Sequence, residues 1–219
     1  MTDLRVITSD GGATILEEAA MDDFAANLRG PLLRPADDGY DAARKVWNGM
    51  IDRRPALIAR CAGVADVIAA VRFAREHGLL VSVKGGGHNV TGNAVCEGGL
   101  VIDPSRMRSI RVDPVSLTVR AEAGVLGAEI DQETQAFGLS TPVGSVSSTG
   151  IGGLTLGGGQ SWLASKHGLA IDNRSRPGCG LVASSAWCRL RKTPISFGHS
   201  KRSVSPRLGA PPIPIRSRR

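Results

Sequence analysis

Aromatic side chains are scarce in this chain. Trp, Tyr and Phe together make up 4% of its 219 residues. Any core must therefore rest on Val, Leu, Ile and Ala, and apolar residues at 42% of the sequence suffice for one. Cysteine is sparse too: Cys61, Cys96, Cys179 and Cys188 form no CxxC pair, which argues against a zinc site, and no metal is expected. No apolar stretch approaches the roughly 20 residues of a membrane span. The N-terminus lacks the basic region and apolar run of a signal peptide. A soluble protein of a reducing compartment, cytoplasmic and without a membrane partner, is expected. Acidic residues are absent from one region only. Residues 174–219 carry 11 Lys and Arg and no Asp or Glu, whereas residues 1–173 carry 16 basic and 20 acidic residues. The formal charge of +7 therefore belongs to the tail alone. Such asymmetry marks either a nucleic-acid arm or a segment not selected for folding. Trp187 and Phe197 show no regular basic–aromatic spacing, so no specific nucleic-acid partner is expected.

What the chain has in abundance is glycine, 28 residues, much of it in two clusters. The elements around the clusters can be read from periodicity. Residues 14–29 have helical character, with acids early and Arg29 late, and Gly30-Pro31 ends them. Residues 56–63 read as a short strand and turn, and residues 64–77 as an amphipathic helix with Val64, Val67, Ile68 and Val71 on its apolar face. Residues 79–85 read as a buried strand, completing a strand–helix–strand unit. Residues 98–103 are another strand, and residues 109–124 two strands turning at Asp113-Pro114. Residues 126–138 are helical, and residues 141–162 form a long loop of the kind that usually carries function. The tail has six prolines in 46 residues and no periodicity, the texture of disorder.

The first cluster, Lys84-Gly85-Gly86-Gly87-His88-Asn89-Val90-Thr91-Gly92-Asn93, directly follows a strand. Consecutive N–H groups on a Gly-rich turn make an anion-binding nest, and Lys84 adds positive charge beside it. A pyrophosphate fits. Neither GxGxxG nor the Walker pattern is satisfied, so this is a phosphate loop of another kind. The second cluster runs from Ser147-Ser148-Thr149-Gly150-Ile151-Gly152-Gly153 to Gly157-Gly158-Gly159. Small hydroxyl residues beside glycine suit an elongated polar ligand. Tight turns in a β-rich region explain the same residues, and both readings stand at this point. His88, on a loop after three glycines, is a better functional candidate than His77, which sits at a helix end, or than His167 and His199.

Four ordered blocks resemble the FAD-linked oxidases of the vanillyl-alcohol-oxidase type, in particular the berberine bridge enzyme-like group with its PCMH-type FAD-binding domain. They are YDAARKVWNGMIDRRPALIARCAG (40–63), VSVKGGGHNVTGNAV (81–95), LVIDPSRM (100–107) and GLTLGGGQSWLASKHGLAIDN (153–173). The resemblance implies an α+β fold: a small α/β subdomain followed by a β-rich one, here incomplete. It divides the chain into an N-terminal extension with one helix (1–39), a truncated FAD-binding domain (40–173) and a disordered or out-of-frame basic tail (174–219). It implies FAD as cofactor, attached covalently through His88. Contacts would come from Lys84, Gly85, Gly86, Gly87, Asn89, Gly92, Asn93 and Ala94, and from Ser147, Ser148, Thr149, Gly150, Gly152 and Gly153 on the other side. Family members that attach flavin twice carry a Cys where Val146 stands, so single attachment is expected. The implied reaction passes hydride from a small organic substrate to the flavin, which oxygen reoxidises. The family's catalytic base and substrate pocket come from later segments, so no catalytic residue is assigned. The alternative is an inactive remnant that binds FAD weakly or not at all, with Cys61 and Cys96 as ordinary buried thiols in either case.

The tail departs from the family at one informative place. Residues 191–200, RKTPISFGHS, can be encoded as CGG AAA ACC CCG ATC TCT TTT GGG CAC TCA. Joining the last base of each codon to the first two of the next yields ENPDLFWAL, a segment the family carries beyond the Asp172-Asn173 pair. The expectation is a single-base insertion or deletion between Asn173 and Ala186, with the tail translated out of frame.

Overall fold

The computed structural model describes residues 3–174 and the backbone of residues 185–189 and 191–192. Leu4–Ile7 (β1) and Ala13–Leu16 (β2) form an antiparallel hairpin, so the first part of the expected 14–29 helix is a strand. The reason is the turn: Gly11 takes φ +86°, and Asp10 Oδ1 accepts the Gly12 N–H at 3.0 Å. That closure sets Thr14 and Ile15 in the ladder, where β-branched side chains pack well. The helix proper, α1, is Glu18–Ala26. Leu32–Leu33 (β3), Tyr40–Arg44 (α2), Leu57–Arg60 (β4), Val64–Glu76 (α3), Val81–Val83 (β5) and Leu100–Asp103 (β6) follow.

Four of these strands make one sheet in the order β3-β4-β6-β5. β6 runs parallel to both neighbours, and β3 is antiparallel to β4. β6 is buried on both faces, as a central strand with covered faces must be. β5 was expected to be buried. It lies at the sheet's edge, with Val81 and Val83 exposed and only Ser82 inside. One face of the sheet packs on α1 and α3 through Leu57, Ala59, Leu100 and Ile102, joined by Val6, Leu16, Met21 and Phe24. Residues 4–26 thus contribute to the main core. The other face covers Tyr40, Ala43, Val95 and Cys96. Tyr40 is fully buried and donates its hydroxyl to the Pro55 carbonyl at 2.6 Å.

Helix α3 has the expected extent but not the expected face. Val64, Ile68 and Val71 are 44%, 46% and 37% exposed, and Asp66, Val67, Ala70, Phe73 and Ala74 point inward. Two contacts set this rotation. Phe73 stacks on Phe24 with ring centroids 4.1 Å apart. Asp66 accepts the N–H groups of Arg29 (3.0 Å), Gly30 (3.1 Å) and Ala62 (2.8 Å). These bonds outweigh the burial of Asp66 and hold its carboxyl below the ordinary aspartate range.

Ile110–Asp113 (β7) and Thr118–Glu122 (β8) form the expected second hairpin. Gly127–Gln135 (α4) is the expected helix, its start secured by Glu129, which accepts the Leu126 N–H at 2.8 Å. Leu139–Ser140 (β9) follows. The long 141–162 loop holds a short helix, Ile151–Leu156 (α5); Ala164–His167 (α6) and a single 3-10 turn at Ile171–Asn173 come after it.

Two short segments of the tail are among the described residues. Ser185–Arg189 (β10) pairs antiparallel with β8, and Arg191–Lys192 (β11) with β9. A hairpin edge offers unpaired N–H and C=O groups that a backbone of almost any sequence satisfies. The remaining tail lies outside the described residues. The structure is α+β, as expected.

Candidate functional site

The parallel pairing of β5 with β6 delivers the first glycine cluster to the end of the sheet. The last bond there runs from the Lys84 N–H to the Ile102 carbonyl at 3.0 Å. Beyond it, none of the backbone N–H groups from Gly85 to Asn89 donates to an acceptor among the described residues. Gly87 has φ +70°, which reverses the chain at little steric cost. The loop is then closed by Asn89, whose Oδ1 accepts the Asn93 N–H at 2.9 Å and the Thr91 hydroxyl at 2.8 Å.

The second cluster is pinned to the start of α4. Gly127 N–H donates to the Thr149 carbonyl and Ala128 N–H to the Ser147 carbonyl, both at 3.0 Å. Ile151 N–H donates to the Val125 carbonyl at 2.9 Å. The two clusters then meet backbone to backbone. A Cβ on Gly86 would stand 2.2 Å from the Gly150 nitrogen, and a Cβ on Gly150 would stand 2.2 Å from the Gly86 nitrogen. No residue larger than glycine fits either position without moving main chain.

A cavity of about 360 Å³ opens beside this contact. Of the residues singled out from sequence, Gly85, Gly86, Gly87, His88, Asn89, Asn93, Ala94, Thr149 and Gly153 line it. Ser148 reaches it through His88, whose Nε2 lies 2.9 Å from the Ser148 Oγ. Gly150 forms the loop contact, and Gly152 packs close to the Ala123 carbonyl. Gly92 sits under Ile51 in a turn with φ +78°, and Ser147 is exposed; neither lines the cavity.

Lys84 lies apart from the cavity. Its ammonium donates to the Ala43 carbonyl and is not part of the cavity wall. Burial lowers its pKa from the ordinary lysine value, with Asp103 opposing. The chain's ladder bond at Lys84 turns this side chain toward α2 and away from the glycine N–H groups.

Three contributors were missed. Val83 and Leu154 supply apolar wall. Trp47 stacks on the His88 imidazole, centroids 5.5 Å apart and planes 20° apart. It is held there by its own N–H on the Gly87 carbonyl at 3.0 Å and by Asn48 Nδ2 on the Val90 carbonyl at 2.9 Å. In a chain so poor in aromatics, an exposed Trp followed by Asn was a usable signal.

Among the described residues the cradle therefore presents backbone donors without acceptors, side-chain amides, one imidazole and no carboxylate. That donor set fits an elongated anionic cofactor. Among the described residues no three His, Cys, Asp or Glu side chains are placed to hold a metal. No helix among them is long and apolar enough to cross a membrane.

Residues 55–175 match the FAD binding domain family. The chain belongs to that family, and FAD-linked oxidoreductases are among the relatives it matches. Among its relatives is (R)-6-hydroxynicotine oxidase of Paenarthrobacter nicotinovorans, 40% identical over 147 residues, which cover 67% of this chain and 32% of the relative. FAD-linked oxidoreductase pgmH of Aspergillus terreus is 36% identical over 168 residues, covering 75% of this chain and 34% of the relative. The chain thus spans about a third of the length of these relatives. The crystal structure of 6-hydroxy-D-nicotine oxidase from Arthrobacter nicotinovorans superposes with a TM-score of 0.72 at 34% identity, over 75% of this chain and 43% of that one. The BBE-like 1 protein of Physcomitrella patens shares the fold, with a TM-score of 0.72 at 20% identity, over 78% of this chain and 44% of that one.

Proposed function

We propose that this chain is the flavin-binding portion of an FAD-linked oxidoreductase. It would hold the FAD pyrophosphate on the Gly85–Asn89 loop and carry the flavin covalently on His88. The observation that carries the reading is the run of N–H groups from Gly85 to Asn89, without an acceptor among the described residues, beside a glycine contact that closes two loops around one cavity. Asn93, Ala94, Thr149 and Gly153 complete the wall that would hold the cofactor. When bound, FAD supplies a two-electron acceptor for hydride from a small organic substrate, with oxygen as the final oxidant.

The chain's own residues bind and orient. The loop amides neutralise the phosphate charge by hydrogen bonding, so no cationic side chain is needed at the cavity wall. Val83 and Leu154 exclude water from the apolar side. Val146 is half exposed and lacks a thiol, which limits attachment to the histidine.

The test is direct. The chain is expressed with excess FAD, precipitated in acid and washed. A yellow pellet, with an intact mass raised by one FAD and abolished by His88→Ala, is expected. Colourless protein with no added mass would refute the covalent reading, and a failure to retain FAD on gentle desalting would refute flavin binding itself.

The tail belongs to the same proposal. Out-of-frame translation beyond Asn173 explains both its lack of acids and the hidden ENPDLFWAL segment. Sequencing the gene from the Gly168 codon onward tests it: bases in that window that do not permit the alternate reading would end the idea.

A further inference from the structure

The flavin reading assigns attachment to His88 but not what makes that imidazole ready for it. We propose that Ser148 is the positioning residue: its hydroxyl holds Nε2 as the protonated ring nitrogen and leaves Nδ1 as the nucleophile. The inference rests on the FAD reading above and extends it to a residue in the other loop.

Two independent contacts carry it. The Trp47 indole lies nearly parallel to the imidazole, 20° off, and so restrains the plane of the ring. Stacking does not distinguish the two flips of the ring within that plane, because a half-turn about the Cβ–Cγ bond leaves the plane unchanged. The Ser148 hydroxyl does distinguish them. Its Oγ lies 2.9 Å from Nε2, and no other hydrogen-bonding partner of the imidazole is present among the described residues. A neutral imidazole has one N–H and one lone pair. The hydroxyl can take either role in this bond; in the acceptor role proposed for it, it places the N–H on Nε2 and leaves the lone pair on Nδ1, in a side chain that lines the cavity. Ser148 is itself placed by the bonds that fix the 147–151 segment to α4, and by the Gly86–Gly150 contact that holds the two loops together. The loop contact thus sets the distance between His88 and its partner.

Attachment from Nδ1 replaces one C–H bond of the flavin 8α-methyl group with a C–N bond. The methyl proton goes to solvent, the C–H electron pair passes into the isoalloxazine and on to oxygen, and the imidazole keeps its Nε2 proton during bond formation. Ser148 takes no part in bond making. It sets which nitrogen is free and where that nitrogen stands.

The experiment compares wild type, Ser148→Ala and Ser148→Thr in the full 219-residue chain. Each is mixed with FAD, and total bound FAD is measured separately from acid-resistant FAD over time. Per FAD bound, Ser148→Ala is expected to attach flavin about fivefold more slowly, the worth of one lost hydrogen bond. Ser148→Thr, which keeps the hydroxyl, is expected to restore the rate. Attachment by Ser148→Ala at the wild-type rate overturns the inference. A loss of total binding in both variants also overturns it, since the role would then be structural. A second measurement does not need the cofactor. The ¹⁵N shifts of His88 in the flavin-free chain are expected to report the Nε2–H form in wild type, with a mixture of forms in Ser148→Ala. Unchanged shifts in the variant overturn the inference whether or not FAD binds. Wild type that binds no FAD refutes the flavin reading instead.

Discussion

Gly86→Ala is a severe test of the loop contact, because one methyl group meets main chain and nothing flexible. Its Cβ would stand 2.2 Å from the Gly150 nitrogen, 2.8 Å from the Gly150 Cα and 3.1 Å from the Ser148 carbonyl oxygen. Ordinary contact needs 3.4 Å or more, so the loops must part by more than an ångström. Gly86 does not occupy the left-handed region, so the cost is one of space and not of backbone conformation. Overpacking of this kind costs about 1–3 kcal/mol. At roughly 2–4 °C per kcal/mol for a domain of this size, a cost of about 2 kcal/mol lowers the melting temperature by about 4–8 °C. Gly150→Ala makes the reciprocal clash and is expected to cost about the same. The two together are expected to cost clearly less than their sum, since loops parted by one methyl already have room for the other. Thermal unfolding followed by circular dichroism measures all three. A Gly86→Ala protein melting within a degree of wild type, or strictly additive losses in the double variant, would refute the argument.

Gly153→Ala should behave in the opposite way for stability. Nothing lies within 4 Å of its added Cβ, and the residue is inside α5, so a gain of up to about 1 kcal/mol is expected from helix propensity. Because Gly153 lines the cavity, FAD affinity measured by fluorescence quenching is expected to fall at the same time. Asp66→Ala leaves three backbone N–H groups without their acceptor and should cost about 3 kcal/mol in denaturant unfolding. The Asp66 carboxyl lies below its unfolded value of about 3.9, so its stabilisation is complete above that pH and is lost as pH falls through the folded value. Acid unfolding of Asp66→Asn is therefore expected to show a shallower pH dependence below about pH 4 than wild type. Burial pushes the Cys61 thiol up to about 12 and raises Cys96 as well. Peptide mapping after iodoacetamide at pH 8 should find both unlabelled in native protein and labelled after unfolding; labelling of native Cys61 would contradict its packing.

Much of the architecture was legible because it depends on local pattern. The α3 helix, the β7–β8 hairpin and α4 announce themselves by periodicity and turn residues. What escaped was decided by partners distant in sequence. The inward face of α3 is chosen by Phe24 and by the N–H groups of Arg29 and Gly30, and a helical wheel contains neither. Residues 13–16 have helix-compatible neighbours, and only closure of the Asp10-Gly11 turn against β1 makes them a strand. At the site, glycine density pointed to the two loops that the structure brings together, since their close backbone approach demands it. The direction of Lys84 was not legible from its sequence neighbours, because its ladder register turns the side chain toward Ala43. Trp47 was missed because its contact with His88 depends on hydrogen bonds between two loops.

The order β3-β4-β6-β5 carries a consequence for how the chain reaches its fold. The last strand of the sheet to be synthesised, β6, lies between two that precede it. β4, α3 and β5 must therefore assemble with a gap one strand wide, or stay apart until Leu100–Asp103 arrives to bridge them. Neither flanking strand has another partner on that side, and parallel pairing gives no tight hairpin to nucleate from. Closure of this sheet is a non-local event, so it should be late and slow. Until it occurs, the Gly85–Asn89 loop has no fixed base from which to face Gly150. Competence to receive a ligand should accordingly appear with this final insertion and not with earlier helix formation.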